Sequence, residues 1–121
     1  MSLLALVVLG VAAGCSGDDD SGSGTGATPE ARGKDFASSN GCVACHSDDG
    51  SEKAGPTWKG VWGTKVELED GKSVTFDEAY LRRSIEDPSD QIVKGFDPVM
   101  PAGSIDQSEL DDLAAYIQSL A

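Results

Sequence analysis

The stretch Cys42-Val43-Ala44-Cys45-His46 decides how this chain folds and what it holds. Two cysteines three positions apart, followed at once by a histidine, form the attachment motif of a c-type haem. In that chemistry each thiol forms a thioether bond to the porphyrin, and the adjacent imidazole binds the iron from one side. The motif therefore predicts one covalent haem c, held by Cys42 and Cys45, with His46 as a metal ligand.

Three other interpretations of these residues are open: a redox-active thiol pair, a zinc site and purely structural thiols. A thioredoxin-like pair belongs to a strand–helix unit of an α/β fold, and no runs typical of buried parallel strands are evident. A structural zinc ion needs four ligands. The chain has one histidine and three cysteines, and the third, Cys15, lies far upstream. Haem attachment is the favoured interpretation.

The second iron ligand is sought among the methionines, because the chain has no second histidine. Of its two methionines, Met1 would leave with a processed N-terminus. Met100 stands between Pro98 and Pro101, which stiffen the loop by fixing φ and restricting their neighbours. We therefore expect Met100 to be the distal metal ligand. A methionine that fills a core gap, or ligation by Lys94 at high pH, are the alternatives.

Residues 1–14 are predicted to be a signal peptide. Ser2 to Gly14 is almost wholly apolar and uncharged, and about a dozen apolar residues are too few for a comfortable membrane span. The small residues before Cys15 resemble a bacterial lipoprotein processing site, which predicts lipid attachment at Cys15. An uncleaved anchor, or secretion with Cys15 discarded, is the alternative. In either case we expect an exported, cell-envelope protein on the periplasmic side, anchored to the membrane in the lipoprotein case.

Residues 15–29 are predicted to form a lipid-anchored flexible linker. Apart from three consecutive aspartates, residues 18–20, the segment after Cys15 consists mainly of small and polar residues that cannot form a core. A chain of this length and composition has a root-mean-square reach of roughly 20 Å. Such a linker would let a small domain reorient at a membrane surface.

The charge of the chain excludes some partners. Nine Lys and Arg stand against 21 Asp and Glu, a formal net charge of −12. This acidity argues against nucleic acid and against adsorption to anionic lipid, and it suits solubility or docking on a basic protein surface. No phosphate-binding glycine loop or nucleophile–base constellation is evident. Because the Cys42–His46 motif predicts a haem, we expect a redox protein that transfers electrons, or a subunit of an oxidoreductase complex, without a small-molecule substrate, rather than an enzyme.

Residues 30–121 are predicted to form one all-α domain with a small hairpin. A first helix is expected over Glu30–Asn40, with Phe36 as its main apolar anchor and Gly41 as its stop. Asp70-Gly71 predicts a turn between short strands, giving a hairpin near residues 66–74.

Two further helices are predicted towards the C-terminus. Thr75 to Glu78 has the pattern of a capping box, and Pro88 limits the helix that it opens. Asp106 to Glu109 has the same pattern. The apolar residues available for packing are Ala79, Leu81 and Ile85 in the first of these helices and Leu110, Leu113, Ala114, Ile117 and Leu120, at helical spacing, in the second.

The order of these segments resembles a class I cytochrome c, in which three to four helices surround one covalently bound haem. More narrowly, Gly55-Pro56-Thr57-Trp58-Lys59-Gly60-Val61-Trp62-Gly63 and the segments 66–71, 77–82 and 92–96 are similar to the cytochrome c domain fused to subunit II of haem–copper cytochrome c oxidases. The copper domain and membrane helices of such a subunit have no counterpart in this sequence.

The resemblance implies several roles. The Pro56 carbonyl would accept a hydrogen bond from His46, and Gly33 would lie where the first and last helices cross. Trp58 and Trp62 would pack on the haem or donate to a propionate, or else belong to the core.

The function implied is that of a mono-haem one-electron carrier in an exported respiratory chain. It would hand electrons to a terminal oxidase, and a quinol-oxidising complex is a further expected redox partner. The alternatives are a haem electron-entry subunit of a dehydrogenase or reductase complex and, less favoured, a haem sensor or peroxidase, which needs an open iron position.

Overall fold

The protein is described by a computed structural model over residues 26–121. The predicted signal peptide, Cys15 and most of the predicted linker lie outside these residues. Within residues 26–121, no helix has the length and apolar character needed to cross a membrane.

Three α-helices and one two-stranded antiparallel hairpin form the secondary structure of this part of the chain. In chain order they are α1 (Pro29–Ser39), a short 3-10 turn (Cys42–Ala44), β1 (Lys65–Glu67), β2 (Ser73–Thr75), α2 (Glu78–Glu86) and α3 (Gln107–Ser119). The predicted helices and hairpin are confirmed, with boundaries shifted by one to a few residues.

Helix α1 begins at Pro29, one residue earlier than predicted. The Thr28 side chain accepts a hydrogen bond from the Ala31 amide, and a proline in the first turn loses no intrahelical hydrogen bond. The prediction of Phe36 as the main anchor is wrong. Gly33 and Ala37 are the buried residues of α1, whereas Phe36 is half-buried beside the core. Gly33 and Ala37 are four positions apart and therefore share one face of the helix, and Phe36 lies to the side of that face.

The packing of α1 on α3 depends on the absence of a side chain at Gly33. A Cβ at Gly33 would overlap the carbonyl oxygen of Asp112 and would lie 2.6 Å from its carbonyl carbon and 2.8 Å from Tyr116 Cβ. At the edge of this crossing, the Arg32 guanidinium donates two hydrogen bonds of 2.7 Å to the carboxylate of Asp112. The close approach predicted for Gly33 is therefore present.

Helix α3 supplies more of the core than any other element. Its predicted capping box is confirmed: the Asp106 carboxylate accepts from the Glu109 amide at 2.9 Å, and the Glu109 carboxylate accepts from the Asp106 amide at 3.0 Å. Its apolar stripe lies against α1 and a cluster of residues from the rest of the chain. Of the predicted stripe, Leu110, Leu113, Ala114 and Ile117 are buried and Leu120 is partly buried. Tyr116, which the stripe did not include, is buried as well. The buried residues that pack with the stripe are Ala37, Trp58, Phe76, Tyr80, Leu81 and Ile105.

The hairpin leads directly into α2. Its register pairs Val66 with Val74, so the connecting loop is Glu69-Asp70-Gly71, one residue longer than a two-residue turn at Asp70-Gly71. The capping box predicted at Thr75 is wrong, because Thr75 belongs to β2, where its hydroxyl accepts from Lys65 Nζ at 3.0 Å. Asp77 caps α2 instead and accepts from the Tyr80 amide at 2.9 Å.

This later start sets which face of α2 is buried. Tyr80 and Leu81 are buried, whereas Ala79, which was predicted to be available for packing, is exposed. Tyr80 packs on Phe76 with ring centroids 5.1 Å apart.

We expect Gly33→Ala to destabilise the haem-loaded protein by about 1–3 kcal/mol, because an added methyl group meets backbone that cannot move aside. Urea unfolding measures the effect. Gly103→Ala is the matched control, since its added Cβ would lie at an ordinary 3.7 Å from Ile85 Cγ2. Equal stability of the two variants would contradict the described crossing.

Candidate haem site

The Cys42–His46 motif forms a compact turn directly after α1. Gly41 has φ 73°, a left-handed conformation that redirects the chain, and the amides of Cys45 and His46 donate to the Cys42 carbonyl at 3.1 and 2.9 Å. The two cysteines are not paired in a disulfide, and both are half-buried. Burial raises the pKa of the Cys42 thiol above its ordinary value. The turn brings the two thiols and the imidazole together on one short segment.

The His46 imidazole is oriented by a single hydrogen bond. Its Nδ1 lies 2.7 Å from the carbonyl oxygen of Pro56. Because a carbonyl oxygen can only accept, Nδ1 carries the proton, and Nε2 is left with a free lone pair. Burial lowers the pKa of His46 and outweighs the opposing effect of this hydrogen bond. The imidazole is therefore neutral at neutral pH, which is the form that binds a metal.

Two neighbours fix the plane of that ring. Trp58, which is 6% exposed, stacks on His46 with ring centroids 4.9 Å apart and planes inclined by 10°. Gly55 lies against the ring edge, where an added Cβ would come within 2.8 Å of His46 Cε1. The ring is thus held by a hydrogen bond, a stacked indole and a backbone that allows no side chain.

The loop between His46 and Trp58 is tied back on itself. The Gly55 amide donates to the Cys45 carbonyl and the Trp58 amide to the Ser47 carbonyl, both at 2.8 Å. The Ser47 hydroxyl, which is buried, donates to the Ser51 carbonyl and contacts the Thr57 hydroxyl at 2.9 Å. These contacts bring Pro56 and Trp58 back to the ring of His46, which lies ten or more positions earlier in the chain.

Lys53 stabilises the Cys42–His46 turn through a hydrogen bond to its backbone. Lys53 Nζ donates to the carbonyl of Val43, between the two cysteines, at 2.7 Å. The bond joins the loop after His46 to the 3-10 turn before it.

Helix α3 also supports Trp58, through Tyr116. The ring of Tyr116 meets Trp58 edge-on with centroids 6.3 Å apart, and its hydroxyl donates to the Asp48 carboxylate at 2.9 Å. Burial, together with the adjacent Asp48 carboxylate, raises the pKa of Tyr116 to about 12. The position of His46 is thereby connected through Trp58 to the crossing of α1 and α3.

Contacts place some of the predicted site residues around His46. Pro56 and Trp58 contact the His46 ring directly. The Cys45 carbonyl accepts a hydrogen bond from the amide of Gly55, the residue before Pro56. Trp62 instead packs on Phe76, with centroids 5.8 Å apart. Met100 lies in the loop between α2 and α3, where it is 37% exposed.

The donor set fits an iron porphyrin. A neutral imidazole with an available Nε2 can bind haem iron from one side, and paired thiols at this spacing suit covalent attachment. Cys42 and Cys45 would hold the group, and His46 would bind its iron.

Comparison with protein families gives the same answer. The family model for cytochrome c matches residues 30–121. This chain belongs to the cytochrome c family. No match to this cytochrome was found among curated proteins. Three helices with a small two-stranded hairpin fit the class I cytochrome c fold.

Membership of the cytochrome c family implies which cofactor this chain binds and what its general function is. Members of the family bind covalent haem c, and Cys42 and Cys45 stand in the attachment positions. This cytochrome is accordingly a haem-based electron carrier.

Some residues of the site were not predicted from the sequence. The sequence predicts no particular role for Gly55, and only the structure shows how closely its backbone approaches His46. Tyr116 follows Leu113 at helical spacing and could have been included in the stripe of α3. Nothing in the sequence pairs it with Asp48, 68 positions away.

Tyr116 predicts a pH dependence of stability at alkaline pH. Its pKa is raised in the folded state, so the stability it contributes is complete below the unfolded value of about 10. That stability is lost as the pH rises through about 12. We expect the stability difference between wild type and Tyr116→Phe to shrink over this range. Urea unfolding of both proteins at several pH values measures it, and a difference that does not change with pH would contradict the prediction.

Proposed function

We propose that this cytochrome is a mono-haem one-electron carrier with His46 and Met100 as its axial ligands, working in an exported respiratory chain and handing electrons to a terminal oxidase. The observation that carries the proposal is the fixed, neutral His46 imidazole, whose Nδ1 is committed to Pro56 and whose Nε2 is free. The chain has no second histidine. Met100 is then the natural second ligand on the loop before α3.

The residues around His46 suit electron transfer. When bound, the haem iron supplies a one-electron ferric/ferrous couple. Pro56, Trp58 and Gly55 keep the imidazole in one orientation, so that the ligand geometry changes little between the two oxidation states. Thioether ligation by Met100 would raise the potential relative to a more basic ligand. Buried Trp58 excludes water from one face of the imidazole.

The oxidase as electron acceptor is supported by the sequence rather than by the site. The segments 55–63, 66–71, 77–82 and 92–96 resemble the haem domain of oxidase subunit II. A net charge of −12 favours docking on a basic surface of a redox partner such as the oxidase or a quinol-oxidising complex. The lipid anchor at Cys15 and the linker after it would keep the domain mobile at the periplasmic side of a membrane.

Ligation by Met100 predicts a spectroscopic signature. The ferric protein is expected to be low-spin with a sulfur-to-iron charge-transfer band, and Met100→His should abolish the band and lower the reduction potential. Val99→Ala is the control, since Val99 is the exposed neighbour in the same loop, at 61%. High-spin ferric iron in the wild type would instead favour a sensor or peroxidase.

The anchor and the acceptor are tested with native membranes. We expect the wild-type protein to be found in the membrane fraction, to carry a diacylglyceryl group on Cys15 by mass spectrometry, and to be oxidised by membranes with oxygen uptake. The rate should fall as salt is raised, because salt screens docking between opposite charges. Cys15→Ser should release the protein without changing its spectrum.

Three results would contradict parts of this proposal. An unmodified mature mass would exclude the lipid anchor. Failure of membranes to oxidise the reduced protein would exclude the oxidase. Co-purification at fixed stoichiometry with a dehydrogenase or reductase would favour the electron-entry subunit.

A further inference from the structure

The loop that carries Met100 has few contacts of its own. Between residues 95 and 102 the backbone hydrogen bonds are those from the Phe96 amide to the Val93 carbonyl at 3.1 Å and from the Val99 amide to the Asp97 carbonyl at 2.9 Å. Val99 and Met100 are the exposed large apolar side chains of residues 26–121. The position of Met100 therefore depends on how the two ends of this loop are held.

The N-terminal end of the loop is held by the hairpin. Leu68 and Val93 form an antiparallel bridge, flanked by hydrogen bonds of 2.9 Å from the Glu69 amide to the Ile92 carbonyl and from the Lys94 amide to the Glu67 carbonyl. This end is fixed by backbone pairing that no side-chain substitution removes directly.

The C-terminal end of the loop is held by α2. The Gly103 amide donates to the Ile85 carbonyl at 2.8 Å. One side chain reinforces this contact: Arg82 donates through Nη1 to the Ile105 carbonyl at 3.1 Å and through Nη2 to the Gln107 side chain at 2.9 Å. Arg82 thus joins α2 both to the end of the loop and to the first residue of α3.

The geometry of an arginine suits this position. The planar guanidinium presents several donors at once, so that one side chain reaches two acceptors two residues apart. A third contact, 3.1 Å to Glu86 Oε1, is an exposed ion pair within α2 and contributes little. Ile105, whose carbonyl Arg82 binds, is itself buried at 5% exposure, so the clamp ties the end of the loop to the core.

We infer that Arg82 is a positioning residue that holds the Met100 loop closed and so governs how readily Met100 leaves the iron. The inference rests on the ligation of Met100 proposed above. In this inference the loop shifts relative to α2 when the thioether dissociates, and the Arg82 bonds to Ile105 and Gln107 oppose that shift. Breaking them raises the population of the open arrangement, about three- to tenfold for one partly exposed, charge-assisted clamp.

Arg83 offers a matched control. It is the next residue of α2, has the same side chain and pairs with Asp90, on the segment that follows α2. Arg82→Gln and Arg83→Gln therefore change the net charge equally and each remove one ion pair of α2. Only Arg82→Gln removes the bonds to the end of the Met100 loop.

The experiment uses the ferric, haem-loaded protein with imidazole as a competing ligand. At saturating imidazole the rate of loss of the sulfur-to-iron band is limited by dissociation of Met100. We expect Arg82→Gln to raise this limiting rate about three- to tenfold and Arg83→Gln to leave it near the wild-type value. Arg82→Lys should give an intermediate rate, because an ammonium group cannot occupy both acceptors in the same geometry.

A second measurement separates this inference from the proposed ligation. Hydrogen exchange of the Gly103 amide reports the closed contact to Ile85 whatever the iron ligand is. If the wild type lacks the sulfur-to-iron band, Met100 ligation has failed, and faster Gly103 exchange in Arg82→Gln than in Arg83→Gln still supports the clamp. Equal imidazole rates and equal Gly103 exchange in the two glutamine variants would overturn it.

Discussion

The close contact of α1 with α3 at Gly33 is the constraint on which the site depends. Because Gly33 has no side chain, the two helix backbones approach until Tyr116 lies beside α1. Tyr116 then meets Trp58 edge-on, and Trp58 stacks on His46. The orientation of the His46 imidazole is therefore determined by its hydrogen bond to Pro56 and by Trp58, which the packing of α1 on α3 supports through Tyr116.

The parts of the fold that could be predicted are those with local signals. The Cys42–His46 motif, the turn at Asp70-Gly71 and the capping box of α3 each depend on residues within five positions of one another, and the structure contains all three elements. The resemblance to cytochromes c added two contacts that local patterns do not show, the close approach at Gly33 and the hydrogen bond between His46 and Pro56.

The errors arose where distant partners decide the outcome. Phe36 is larger and more apolar than Ala37, but the position that faces α3 is fixed by Gly33, and this selects Ala37. Thr75 has the sequence of a helix cap, yet pairing with Lys65 keeps it in the hairpin and leaves Asp77 to cap α2. The contact of Arg82 with Ile105 joins residues 23 positions apart, and no short pattern indicates it.

The separation in sequence between α1 and α3 has a consequence for the order of assembly. Arg32 and Asp112, which pair across the crossing, are 80 positions apart. Contacts of such long range cannot form until nearly the whole domain has been synthesised, and they make folding slow. The Cys42–His46 segment therefore leaves the ribosome well before the helix that supports Trp58 behind it. Until α3 docks, Trp58 lacks its contact with Tyr116, and the orientation of His46 described above is incomplete.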